Sequence, residues 1–186
     1  MIRIGLYSEP TNKEIKRYSG LYRGNEMIKY AKSGKVLSAM LNRFFATSRN
    51  GQDVDYNETN KKMIVELYNS LKKENWDGDL VLFTDDGDIE MPGFSFVGYD
   101  ICADSMYYSP LGDGFLERYN KYPLFYSDMP RETYSIYKND LNENQLFGSL
   151  DVAEAFSNYC NYINKKHRYC IEFEDNWRPV SVKIAF

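Results

Sequence analysis

The chain is poorly supplied with the side chains that most catalytic and metal chemistry requires. Its 186 residues include one histidine, His167, and three cysteines, Cys102, Cys160 and Cys170. An odd cysteine count with no CxxC pair argues against a disulfide framework or a zinc knuckle. The thiols read instead as small buried hydrophobes. A cysteine nucleophile served by His167 is disfavoured as well, because Cys170, three positions away, points to the other side of an extended segment. A G-x-S-x-G elbow, a GxGxxG loop and a Walker loop are all missing. No apolar run approaches the roughly 18 residues that a membrane span needs. The opening Met1-Ile2-Arg3-Ile4-Gly5-Leu6 lacks the longer apolar core and small-residue cleavage site of a secretory leader, so a cytoplasmic location is expected.

A second absence concerns charge. From Glu74 through Glu117 there is no Lys, Arg or His, while 11 acids fall in that span: Glu74, Asp77, Asp79, Asp85, Asp86, Asp88, Glu90, Asp100, Asp104, Asp113 and Glu117. The rest of the chain keeps all 23 basic residues against 16 acids, so a modest net charge of −4 conceals strong polarisation. Such a block disfavours nucleic-acid binding, which needs clustered Lys and Arg to meet phosphates.

What the chain has in quantity is aromatic surface, with Tyr 17, Phe 11 and Trp 2. Tyrosine pairs a large apolar ring with a polar tip and loses little side-chain entropy on docking, which suits recognition sites.

The elements follow from hydrophobic spacing. Ile2, Ile4 and Leu6 alternate as a first strand, and Val36, Leu37, Met40, Leu41, Phe44 and Phe45 recur at helical spacing. A second helix opens at Asn57 or Thr59 and carries Met63, Ile64, Leu67, Tyr68 and Leu71 opposite a charged face. Leu80–Phe83 and Phe94–Cys102 read as strands. The aromatic-rich stretch between Met106 and Tyr137 reads as compact but irregular. Asp151 with Glu154 three residues on is spaced as a capping box before a helix whose buried face is Val152, Phe156, Tyr159, Cys160 and Ile163. Tyr169–Phe173 and Val180–Ile184 are expected as strands around a turn at Asp175–Pro179. With no repeat and no low-complexity linker, the expectation is one α+β domain over 1–186, a mostly antiparallel sheet packed against several helices.

Two constellations invite a chemical reading. Asp86-Gly87-Asp88-Ile89-Glu90 and Asp77-Gly78-Asp79 space carboxylates as hard cations like them, but Asp-Gly is the common hairpin turn and the twelve-residue calcium loop is missing. No metal and no cofactor is expected. ADP-ribosylating toxins order an arginine, a Ser-Thr-Ser-like strand and a Glu-x-Glu turn, and Tyr22-Arg23-Gly24, Ala46-Thr47-Ser48 and Glu172-Phe173-Glu174 follow that order. The spacing is unequal, however, and patterns of three residues arise readily by accident. An enzyme of this type is the alternative to a binding protein, and a non-catalytic regulatory module is a third reading.

The acidic block has a direct physical use, since carboxylates on one face steer a cationic protein to rapid association and aromatic side chains among them anchor it. The stretch Phe94–Asp104, followed by Tyr107-Tyr108-Ser109-Pro110-Leu111 and the later Asn142–Leu150 leading into the Asp151 helix, resembles bacterial immunity proteins encoded beside polymorphic or contact-dependent toxins. That resemblance, carried by the C-terminal half, implies a cytosolic protein that neutralises a cognate toxin domain by occlusion, without catalysis, membrane or nucleic acid. The expected partner surface joins the carboxylates of Asp85, Asp86, Asp88, Glu90, Asp100 and Asp104 to the rings of Trp76, Tyr107 and Tyr108.

Overall fold

A computed structural model describes residues 2–7, 53–54, 57–73, 79–84, 90–103, 109–111, 115–116, 123–168, 171 and 176–185. In chain order these form β1 (Ile2–Tyr7), β2 (Asp53–Val54), α1 (Glu58–Lys73), β3 (Asp79–Thr84), β4 (Phe94–Cys102), α2 (Pro123–Tyr126), α3 (Arg131–Asp140), α4 (Leu150–Lys166) and β5 (Arg178–Ala185). The strands lie in the order β2-β1-β3-β5-β4, and the β1–β2, β1–β3 and β3–β5 pairs are antiparallel. With helices interspersed among the strands of a mainly antiparallel sheet, the fold is α+β, as the spacing of apolar residues predicts. The helix expected over Val36–Phe45 lies outside the described residues. Among the described residues no helix is long and apolar enough to cross a membrane.

The described residues divide into two compact units, a division that no linker in the sequence marks. The first takes β1, β2, α1, β3, the start of β4 and, from Ser181, the end of β5. In it, Phe83 pairs with Val182, and both are fully buried. The same register sets Thr84 beside Ser181, whose hydroxyls hydrogen-bond at 2.5 Å. It also places Lys183 next to Leu82, nearly buried, with its ammonium 5.8 Å from the ring centroid of Phe96. At that distance the ring face partly offsets the loss of water around the charge.

Helix α1 begins where Asn57 Oδ1 accepts the backbone N–H of Asn60 at 2.9 Å, which settles the cap on Asn57 rather than Thr59. Ile64 and Leu67 are buried, Met63 and Tyr68 half-buried, and Lys62, Glu66, Lys72 and Lys73 face water, as the periodicity requires. Tyr68 meets Phe94 with ring centroids 5.7 Å apart and also covers the Pro92-Gly93 turn. Gly93 has φ +84°, and a Cβ there would sit 3.0 Å from Tyr68 Cε1, so both backbone and neighbour favour glycine.

The second unit runs from Val97 to Val180 and holds a core of Ile101, Phe115, Phe125, Phe147, Phe156, Cys160, Ile163 and Trp177. Phe125 makes edge contacts with Phe115, Tyr126, Phe156 and Tyr159 at centroid distances of 4.8 to 5.9 Å. Each such pair adds roughly 0.5–1.5 kcal/mol beyond its buried area.

Three features differ from the sequence expectation. The stretch expected to be irregular contains α2 and α3, with Tyr134 and Tyr137 on the inner side of α3. Helix α4 starts earlier than the Asp151 spacing implies, because Ser149 is its N-cap and accepts the Val152 N–H, leaving Asp151 in the first turn. Of the strand expected over Tyr169–Phe173, only Ile171 is described, and it lies in a bend with its N–H donating to buried Asn164 Oδ1 at 2.8 Å. The turn before β5 places Asn176 at φ +62°, a conformation asparagine tolerates better than most residues.

Candidate functional site

Of the residues expected to meet a partner, Trp76, Asp85, Asp86, Asp88, Asp104, Tyr107 and Tyr108 lie outside the described residues. Glu90 is exposed, directly before buried Met91 and the Pro92-Gly93 turn. A carboxylate at the end of the Asp85–Glu90 segment is therefore available to solvent.

Asp100 is placed otherwise, and its assignment to an exposed acidic surface is corrected. Alternation along β4 puts Phe94, Phe96, Gly98, Asp100 and Cys102 on one side, but from Asp100 to Cys102 both sides of the strand are buried. Asp100 is 0% exposed. Its Oδ1 accepts the N–H of Ile101 at 2.8 Å and the hydroxyl of Ser109 at 2.5 Å, and Cys102 Sγ lies 4.0 Å from Oδ2. A carboxylate removed from water needs such donors. Its carboxyl group therefore holds the chain after β4 and is not presented at the surface.

The segment Asn142–Leu150 has a structural task. Asn142 Nδ2 donates to Val97 O at 2.6 Å, while its Oδ1 accepts the N–H groups of Asn144 and Leu146 at 2.9 and 3.2 Å. Tyr99 and Phe147 exchange backbone hydrogen bonds at 2.8 and 2.9 Å. Asp140 completes the turn, its carbonyl accepting from Gly148 N and its carboxylate from Ser149 N, each at 3.0 Å. One asparagine and one aspartate thus fasten the α3–α4 connection to β4 and prepare the start of α4.

A cluster that the sequence does not reveal lies where α2 meets the end of α4. Tyr159 donates its hydroxyl to Phe125 O. Three residues further along the same helix, Tyr162 donates to Asp128 Oδ2 at 3.2 Å, and Lys166 bonds the same carboxylate oxygen. The Lys166 hydrogen bond is the main reason the Asp128 carboxyl is held below its ordinary value, and the same bond raises the Lys166 ammonium above its own. His167 Nε2 lies 3.3 Å from Ser127 Oγ. Helical spacing does place Tyr162 and Lys166 on one face, but nothing local links them to Asp128 more than thirty residues earlier.

Serine, histidine and aspartate side by side suggest a nucleophile arrangement, but their polarity opposes it. The hydroxyl of Ser127 donates to Leu124 O at 2.9 Å, so its single proton is engaged by the backbone and not by His167, whose Nε2 is the more distant partner at 3.3 Å. Asp128 engages Lys166 and Tyr162, whereas a triad carboxylate would orient the imidazole. Cys102 and Cys160 are buried, and Cys170, Arg23, Ser48, Glu172 and Glu174 lie outside the described residues. Burial pushes the Tyr137 phenol up, with Cys160 adding to the effect, so this hydroxyl stays neutral. Among the described residues, no three His, Cys, Asp or Glu side chains converge as a metal site.

No family model, curated protein or solved structure matches the chain.

Proposed function

We propose that the chain is a cytosolic immunity protein that binds a basic, cognate bacterial toxin domain and neutralises it by occlusion. The observation that carries this reading is the uneven distribution of charge: 11 acids without one basic residue between Glu74 and Glu117, against a basic excess in the remainder. Toxins directed at nucleic acid are commonly cationic, and an inhibitor of one gains both rate and selectivity from an opposing acidic field. Asp85, Asp86, Asp88 and Glu90 supply that field, with Asp104 beyond β4. Trp76, Tyr107 and Tyr108 supply the rings that exclude water once the partner has arrived. Asp100 has no part in the contact, since its carboxylate is buried. The resemblance of the C-terminal half to immunity proteins supports the same reading.

Co-expression with the C-terminal region of the protein encoded immediately upstream is the test. Rescue of growth, together with co-purification of the two chains, is the expected result. Failure of both, or NAD hydrolysis by the purified chain that Glu174→Gln abolishes, overturns the proposal.

A further inference from the structure

We draw no further inference here: the strongest candidate, the patch of exposed Leu124 and Tyr162 beside the Asp128–Lys166 ion pair where α2 meets the end of α4, carries nothing because no feature of the structure shows what covers it.

Discussion

The hydroxyl of Ser109 donates to the buried carboxylate of Asp100 at 2.5 Å, joining the end of β4 to the segment that follows it. Truncating either partner leaves the other without this bond in a site closed to water. Ser109→Ala and Asp100→Ala are each expected to cost roughly 1–3 kcal/mol in chemical denaturation, with the aspartate change the larger. The double variant should lose less than the sum of the two. A stability-neutral Asp100→Ala would return this residue to the surface assigned to it by charge pattern alone.

Gly98 makes a sharper demand on the backbone of the same strand. Its φ is +148°, and a Cβ there would lie 2.7 Å from Leu146 Cβ and 2.9 Å from Phe147 O. Side chain and carbonyl both belong to the turn that Asn142 fastens, so neither yields without disturbing those hydrogen bonds. Gly98→Ala should therefore destabilise by about 1–3 kcal/mol. Amide exchange should quicken at Tyr99 and Phe147, whose paired bonds flank the clash. Unchanged protection at these two amides would refute the account.

The start of α4 offers a comparison between two acceptable caps, Ser149 and Asp151, only two residues apart in the chain. Ser149 Oγ accepts the Val152 N–H at 3.5 Å, and Ser149 N is itself held by Asp140. Ser149→Ala should cost about 1 kcal/mol and Asp151→Ala less, since the latter only forfeits a favourable charge in the first turn. Thermal melts of the two variants decide the matter, and a larger loss for Asp151→Ala would reverse the assignment.

That helix also shows where sequence reasoning reaches its limit. Of the buried face that spacing predicts, Phe156, Cys160 and Ile163 are fully buried, while Val152 and Tyr159 are half-buried. Ser157 and Asn164 are buried too, Asn164 because it satisfies Ile171 N, and a hydrophobic pattern carries no trace of inward polar residues. Helix α3 was illegible for a related reason. Its inner side is tyrosine, Ile136 points outward at 58% exposure, and it begins after Pro130 without a side-chain cap, so periodicity and start signal both fail. Asp100 failed because alternation along β4 says which residues share a side, not whether the second side is covered. Of the candidate partner surface, the sequence supplies the charge distribution and the structure places Glu90 at the surface.

The Asp128–Lys166 bridge ties the turn after α2 to α4 in a pH-dependent way. Because the Asp128 pKa is lowered in the folded state, its contribution is present above the ordinary carboxylate value and is lost as pH falls through the lowered one. Lys166 acts at the other end, contributing below the ordinary lysine value and losing that contribution as pH rises through its raised one. Both groups are partly exposed, so the effect is small and weakens with salt. Wild type should be slightly more stable than Asp128→Asn at pH 7, with the two denaturation curves converging in acid. A gap that persists below the carboxylate range would assign the difference to packing.

The acidic surface is tested by rate before affinity. With a toxin domain identified by growth rescue, combined Asp85→Lys, Asp86→Lys and Asp88→Lys changes should slow association at least roughly tenfold at low salt and flatten its salt dependence, with dissociation altered less. The same change in net charge at Glu143, Asp151 and Glu154, exposed acids outside the block, serves as the control. If steering depends on where the acids lie, the control retains most of its association rate. Equal slowing in both variants would mean that total charge governs the encounter, and no slowing in either would remove the acidic block from the interface. Tyr107→Ala and Tyr108→Ala should show the opposite signature, faster dissociation with association little changed, because anchors act after the encounter and carboxylates before it.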